Sequence, residues 1–426
     1  MPIDMAGQVP EPYLGHLRFI HKTITDAGFE CYLVGGSVRD LYLQKTPKEY
    51  DLTTSALPTK IKSLFQSVID TGIKHGTVTV LIERQPYEIT TYRIDKDYTD
   101  GRRPDQVEFG QSLSEDLKRR DFTMNALALH ILSGEIIDEH GGRRDIDQQI
   151  IRTIGSPINR FTEDGLRPVR AMRFASTLNF QIEAETKAAI SKTSHITAKI
   201  SVERLQDEII KSLVGAKPSI MIRHLIEMNT LSLFVPDLVF QIAYKANEHS
   251  LEALDNLPKQ NLGYLIGVWA YCVHQKLTPD HWETILTKLK FSNAICKDAT
   301  FLLTLLHYPS PITANIDDYL IRKTLLSPIK KHLSQRKLPI LGLWPVLECL
   351  GWPYLKQCMA LWEENPPLLL GDLKINGSDL QSLYPSLPKQ RYGDLLNQLL
   401  DQVLLLPKNN NFEYLSTQCA EIIGNL

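Results

Sequence analysis

The chain reads as a mixed α/β head followed by an all-α remainder, and three observations carry that reading. Strand-like and helix-like runs alternate over roughly the first 150 residues. From Phe161 onward the β-alternation fades. Apolar residues then recur at helical spacing, as in Val169, Met172 and Ala175, or Leu205, Ile209, Ile210 and Leu213. Prolines punctuate the helical part at Pro218, Pro236, Pro258, Pro279, Pro309, Pro311 and Pro328. At 426 residues the chain is too long for one ordinary core, so two to four domains are expected. Cuts are expected near Val235 and near Ser327.

Taken in order, Tyr13 to Ala27 predicts an amphipathic helix, and Glu30 to Val34 a short apolar strand. Gly35-Gly36 then turns the backbone with no Cβ in the way. Val38 to Gln44 predicts a helix whose free N–H groups point back toward the glycines. Glu49 and Asp51 stand two apart on the next strand, so both side chains share a face. Lys60 to Ile69 predicts a helix; Gly76 to Ile82 and Glu88 to Ile94 predict strands. The polar stretch from Asp95 to Ser114 predicts a long loop, the kind of segment that often carries function. Leu117 to His130 is expected to begin a helix, and Asp138 to Gln149 to be a charged connection.

A helix N-terminus behind a glycine turn attracts phosphate through its N–H groups and its dipole. Gly35, Gly36 and Ser37 are therefore expected to hold a triphosphate, with Arg39 and Arg120 adding positive charge. Two carboxylates on one face beside that site, Glu49 and Asp51, suit a pair of Mg²⁺ ions. The implied chemistry is nucleotidyl transfer. Asp40 is expected to be structural, partnering an arginine or capping the helix. In Arg119-Arg120-Asp121-Phe122-Thr123-Met124-Asn125-Ala126, Asp121 can accept from a ribose hydroxyl and Asn125 can bind a sugar or phosphate. In the stretch Glu163 to Phe174, Asp164, Arg167 and Arg170 share a face if the segment is one helix. An Asp acceptor beside an Arg donor can match the Watson–Crick edge of cytosine or adenine. The same residues also suit plain ion pairs on a solvated helix.

Composition narrows the field further. The formal net charge is −2, so global charge does not announce nucleic acid. Its distribution does: twelve arginines fall between Arg93 and Arg173 and five follow, which suggests an anionic ligand in the N-terminal half. The six scattered cysteines form no C-x-x-C, which argues against a zinc knuckle or disulfide scaffold and fits a reducing cytoplasm. No signal pattern opens the chain, and the apolar run from Leu262 to Val273 is too short to span a bilayer. No membrane association is expected. The rival phosphate motifs G-x-x-x-x-G-K-[ST] and G-x-G-x-x-G are absent.

Together the motifs resemble those of the class II transfer-RNA nucleotidyltransferases, the CCA-adding enzymes and the related bacterial poly(A) polymerases. The matching segments run in the family's order. Leu33 to Asp40 and Glu49-Tyr50-Asp51-Leu52-Thr53-Thr54 come first. Tyr98 to Pro104, Glu115 to Ala126, Arg152-Thr153-Ile154-Gly155 and Glu163 to Phe174 follow. The resemblance is strong over residues ~29–180 and thin afterwards. It implies a polymerase-β-like nucleotidyltransferase head (1–155), then a helical neck with a nucleobase template (156–235), a body (236–327) and a tail (328–426) that binds transfer RNA. It implies metal ligands at Glu49 and Asp51 with two Mg²⁺ ions, and a template for the incoming base at Glu163, Asp164 and Arg167. Ribose and triphosphate contacts fall on Asp121, Asn125, Arg167 and Arg170. The loop, with Asp100, Arg102 and Arg103, is implied to help the switch from CTP to ATP.

Three departures stand out. Glu49 occupies a position that is usually Asp. Gly165 stands where the family has Pro, and Pro168 where it has another residue. Pro168 lacks the N–H that would bond back toward Asp164, which leaves open an arrangement with Asp164 off the helix of Arg167. His249-Ser250-Leu251-Glu252 resembles the start of a relative's HD metal site, but Cys272-Val273-His274 holds the later position, so no phosphohydrolase activity is expected. The expected activity is addition of C, C and A to the transfer-RNA 3′ end from CTP and ATP, with pyrophosphate released. An enzyme adding only A or only CC is the alternative, followed by a poly(A) polymerase and a catalytically weakened RNA-binding relative. The implied partners are the transfer-RNA acceptor stem and elbow, with no obligate protein partner.

Overall fold

A computed structural model describes residues 5–73, 76–96, 106–110, 112–236, 248–274, 276–308 and 317–424. The chain divides into two compact units, residues 1–241 and 242–426. In the first, α1 (Tyr13–Asp26) turns Leu17, Ile20 and Ile24 inward at helical spacing. It is followed by β1 (Cys31–Val34), α2 (Gly36–Tyr42), β2 (Asp51–Thr54) and α3 (Pro58–Leu64). Then come β3 (Val68–Gly72), β4 (Thr77–Ile82), β5 (Gln85–Thr91), β6 (Arg93–Lys96), β7 (Gln106–Phe109) and α4 (Leu113–Lys118). The two-residue strands β8 (Ala128–Leu129) and β9 (Ile136–Ile137) complete a seven-stranded sheet, ordered β3-β4-β5-β2-β1-β8-β9. Its central strands are buried through Leu33, Val34, Leu52, Thr53, Val78, Val80 and Ile89. Within this sheet, among the described residues, only β2 and β5 pair in parallel.

After the sheet the first unit is helical, apart from β10 (Ile150–Ile151) and β11 (Gln181–Ile182), which pair with each other in parallel. Its helices are α5 (Gly142–Asp147), α6 (Pro157–Glu163), α7 (Arg167–Leu178), α8 (Ala184–Lys192), α9 (Ser194–Thr197), α10 (Val202–Leu213) and α11 (Pro218–Glu227). The second unit has no strand among its described residues. It opens with α12 (Glu248–Asn256) and α13 (Leu262–Val273), whose apolar run is buried almost throughout, as expected of a core helix. Among the described residues no helix is long and apolar enough to cross a membrane.

Several local expectations need correction. The helix expected from Lys60 to Ile69 ends at Leu64. Val68 and Ile69 are β-branched and pair antiparallel with Val80 and Thr79 instead. Leu117 to His130 is not a helix. Asp121 accepts from the backbone N–H of its neighbour Phe122 at 2.8 Å, and Phe122 is extended (φ −127°, ψ 148°) and bridges to Thr153. This local bond competes with helix continuation. The apolar run that imitated a helix, Phe122 to Leu129, is instead buried as a single 3-10 turn and a strand. The charged connection from Asp138 to Gln149 contains α5, whose first N–H groups donate to the Asp138 carboxylate. Part of the expected loop is strand: β6 pairs with β7, while residues 97–105, including Asp100, Arg102 and Arg103, lie outside the described residues.

Candidate active site

The pairing of β1 with β2 sets Val34 opposite Asp51, so the carboxylate lies beside the turn that Gly35 begins. Gly35 has φ +75° and ψ −134°, a conformation that L side chains rarely adopt. A Cβ there would come 3.0 Å from Nη1 of Arg120. Glycine thus brings backbone and guanidinium together. α2 starts at once behind it. The Ser37 hydroxyl donates to the Val34 carbonyl at 2.9 Å and is buried, so Ser37 can offer a phosphate only its backbone.

A chain of charge-assisted hydrogen bonds then crosses from α2 to α7. Arg39 donates through Nη1 to Asn125 Oδ1 at 2.7 Å and grips its neighbour Asp40 through Nε and Nη2. Asp40 thus has the expected structural partner. Asn125 Nδ2 donates to Asp121 Oδ1 at 3.2 Å, and Arg170 Nε donates to Asp121 Oδ2 at 2.8 Å. Burial pushes the Asp121 carboxyl up. Arg170, the Asn125 amide and Arg167 more than reverse this, bringing it down to about 2. Below these residues the fully buried Asp116 holds Arg119 through one oxygen and Arg120 through the other.

The segment expected to read the base breaks where Pro168 allowed it to break. α6 ends at Glu163, Asp164 is extended (φ −143°, ψ 111°), and α7 starts at Arg167 with Pro168 in its first turn, where no N–H is needed. Asp164 is therefore off the helix that carries Arg167 and Arg170. Gly165 fits this corner because a Cβ would lie 2.6 Å from the Ile196 carbonyl oxygen. Arg167 is buried and donates to the carbonyls of Arg160 and Arg119 and to the Glu163 carboxylate. Glu163 also accepts from Arg160 at 2.8 Å, which puts it behind Arg167 rather than on the cleft wall. Asp164 accepts from Arg204 through both oxygens.

These elements enclose a cleft of about 460 Å³. Eleven of the residues expected at the site line it: Gly35, Gly36, Arg39, Glu49, Asp51, Arg120, Asp121, Asn125, Asp164, Arg167 and Arg170. Arg119, Arg173 and Phe174 line it too. The Phe174 ring has the guanidiniums of Arg173, Arg39 and Arg170 at 3.5, 5.3 and 5.3 Å from its centroid. Arg173 and Phe174 stand three and four residues after Arg170 on α7, and that helical spacing is the signal that places them on the same face. Arg204 had no sequence signal at all, since it lies 40 residues from its partner Asp164.

One corner of the cleft is negative. Asp51 begins β2 and Glu49 lies just before it, both exposed. Among the described residues neither makes an ion pair. Although Asp51 is open to solvent, desolvation by the cleft walls, then Glu88 and Glu49, push its carboxyl up to about 6 against the pull of Arg120. Glu88 arrives because parallel pairing sets Leu52 against Ile89, so the preceding residues of β2 and β5 are neighbours. Its signal was period-two alternation on β5. No three His, Cys, Asp or Glu side chains gather at metal-binding distance among the described residues. Two crowded carboxylates short of positive charge fit a hard cation that takes its remaining ligands from water and phosphate, as Mg²⁺ does.

Comparison with known proteins bears on the family and the fold. A family model described as the poly A polymerase head domain matches residues 31–152, and one described as a probable RNA and SrmB-binding site of polymerase A matches residues 179–241. A CCA-adding enzyme of Lactobacillus gasseri is 53% identical over 203 residues, which are 48% of this chain and 50% of that protein. Here the chain spans about half the length of the curated relative it matches. A CCA-adding enzyme of Bacillus velezensis is 37% identical over 374 residues, 88% of this chain and 89% of that one. The crystal structure of Bacillus stearothermophilus CCA-adding enzyme in complex with CTP has a TM-score of 0.76 at 28% identity, covering 98% of this chain and 99% of that chain. With its polymerase-β-like head, helical remainder and arginine-lined cleft, the chain belongs to the class II CCA-adding enzymes, a family of transfer-RNA nucleotidyltransferases.

Proposed function

We propose that this protein adds C, C and A to the 3′ end of transfer RNA, from CTP and ATP and without a nucleic-acid template. The observation that carries the reading is the single cleft in which an unpaired carboxylate corner, a glycine turn, an arginine cluster and the Asp164–Arg167 corner meet. The Bacillus velezensis relative, similar over most of the chain, supports it.

In this reading the terminal 3′-hydroxyl attacks the α-phosphorus of the bound nucleotide, a new P–O bond forms, and the bond to the β-phosphate breaks to release pyrophosphate. Gly35 and Gly36 let the triphosphate approach the backbone closely, and Arg120 and Arg39 balance its charge. Asp121 and Asn125, fixed by Arg170 and Arg39, present polar atoms to the ribose. Asp164 accepts from the exocyclic amino group of cytosine or adenine, and Arg167 donates to the ring acceptor beside it. Glu49 and Asp51 would hold Mg²⁺, which would supply Lewis-acid activation of the attacking hydroxyl and charge neutralisation of the leaving pyrophosphate. The enzyme works in the cytoplasm, in keeping with six free cysteines.

The test uses three transfer-RNA transcripts, ending at the discriminator base, at C, and at CC. Each is incubated with protein, Mg²⁺ and CTP, ATP or both, and products are resolved to single nucleotides. Extension of the shortest by three residues, then a stop, is the expected result. One A added only to the CC-ended transcript would make this an A-adding enzyme. A stop after two C would make it a CC-adding one, and a long A ladder would make it a poly(A) polymerase.

A further inference from the structure

We propose that Arg204, outside the cleft, determines which bases the cleft accepts by fixing the carboxylate of Asp164. This inference rests on the base-reading role given to Asp164 above. Asp164 belongs to neither α6 nor α7, so no helix holds its side chain in place. What holds it is a fork. Arg204 donates through Nη1 to Oδ1 at 3.1 Å and through Nη2 to Oδ2 at 2.8 Å, while the Leu166 N–H donates to Oδ1 at 3.0 Å. A bidentate guanidinium sets the plane of a carboxylate as well as its position. Oδ1 is thereby filled twice. Oδ2 keeps an acceptor direction, and Asp164 lines the cleft while Arg204 does not.

The same helix steadies the neighbouring wall. One turn after Arg204, the buried Glu208 accepts from Arg173 Nε at 2.8 Å and lies 3.9 Å from Arg170. α10 itself is anchored by Leu205, Ile209 and Leu213. The Arg167 guanidinium has separate acceptors, the Arg160 and Arg119 carbonyls and Glu163. Loss of Arg204 therefore leaves Asp164 with the Leu166 N–H alone, a single contact on Oδ1 that does not fix the carboxylate plane, while Arg167 stays held.

The consequence is chemical. A fixed carboxylate accepts from the amino group of cytosine or adenine and repels the carbonyl oxygen that uracil or guanine puts there. Rejection of an unmatched acceptor is strong only when the protein group cannot turn away. A carboxylate held at one oxygen only can swing its other oxygen away and loses that repulsion, so UTP and GTP enter. Arg204 is a positioning residue in this scheme, acting through Asp164.

The test is single-turnover incorporation of each of the four nucleotides by the parent, Arg204→Gln and Arg204→Lys, with a melting curve for each protein. The expected result is a fall of about tenfold or more in the CTP-over-UTP ratio of kcat/KM for Arg204→Gln, from the lost charge-assisted fork. The ATP-over-GTP ratio should fall with it. Arg204→Lys keeps the charge without the fork and should fall between. Equal losses for all four nucleotides, with ratios unchanged in the variant that folds, would overturn the proposal and leave Arg204 as a brace of the fold. A parent that incorporates no nucleotide would instead overturn the function itself, and the inference with it.

Discussion

Replacing Asp116 by Asn removes the buried charge on which the arginine cluster stands. Asp116 is 0% exposed. Its Oδ1 accepts from Arg119 Nε at 2.9 Å and Nη2 at 2.5 Å, and its Oδ2 from Arg120 Nη2 at 3.1 Å and Thr53 Oγ1 at 3.4 Å. Burial pushes the carboxyl up, and the Arg120 and Arg119 guanidiniums beside it more than reverse this. An amide at the same place is neutral and turns a donor toward one of the arginines. Taking one partner from a buried ion pair costs about 3–5 kcal/mol. For a unit of this size a kcal/mol moves Tm by roughly 2–4 °C, so Asp116→Asn should melt roughly 6–20 °C lower. The second effect is on the site. Arg120 reaches to within 3.0 Å of a Cβ position at Gly35 because Asp116 anchors it from below. Without the anchor, KM for CTP and ATP should rise together, by about tenfold for a lost contact near 1.4 kcal/mol. Thermal unfolding by circular dichroism and steady-state addition to a transfer-RNA transcript read the two effects. A variant melting with the parent and with unchanged KM would refute the reasoning, because the arginines would then need no buried partner.

Asp51→Asn should abolish addition of C and of A alike, while Tm at pH 7 stays level or rises. The Asp51 carboxyl is raised to about 6 by burial, Glu88 and Glu49, so its charged form is a burden above that pH, and loss of stability with loss of activity would contradict this. Gly165→Ala puts a Cβ 2.6 Å from the Ile196 carbonyl oxygen and should cost about 1–3 kcal/mol, read as a lower urea midpoint. The stability Asp121 supplies has the opposite pH sign. Its pKa falls from 3.8 to about 2 on folding, so the contribution is full above pH 4 and lost as pH drops through 2. Asp121→Asn should therefore remove about 2 kcal/mol at pH 7 and flatten the dependence of the urea midpoint between pH 4 and 2.

The parts of this molecule that depend on neighbours in sequence were legible, and the parts that depend on neighbours in space were not. Strand, glycine turn and helix at Cys31 to Tyr42 follow from local backbone chemistry, and Asp51 follows from spacing. Leu117 to His130 misled because a buried apolar run looks alike in a helix and in a folded-back segment. What decides is the Asp121 carboxylate capturing its own neighbour's N–H, a choice made profitable by Arg170 49 residues away. Pro168 signalled the break in the segment proposed to read the base, yet the proline could not say what would hold Asp164 once it left the helix. That partner is Arg204. Glu88 was half hidden: alternation along β5 gave its face, but its place beside Asp51 depends on β5 joining β2 in parallel.

The charge pattern of the cleft supports transfer over binding alone. Six arginines line it against four carboxylates, Glu49, Asp51, Asp121 and Asp164. Asp121 is paired with Arg170 and Asp164 with Arg204. A protein that only held RNA phosphates would gain nothing from two further carboxylates at the same wall, without ion pairs among the described residues, for they would repel the ligand. Desolvation at the cleft wall, then the charges of Glu88 and Glu49, lift the Asp51 carboxyl to about 6. Such a cost is understandable where a divalent cation joins the carboxylates to a triphosphate, turning mutual repulsion into shared coordination. Glu49 in place of the family's usual Asp keeps that charge with one more methylene of reach. Glu49→Asp should therefore keep addition, with a shifted Mg²⁺ requirement, whereas Glu49→Gln should lose it. Full activity in Glu49→Gln would mean that the corner is not a metal site and that Asp51 acts without its neighbour.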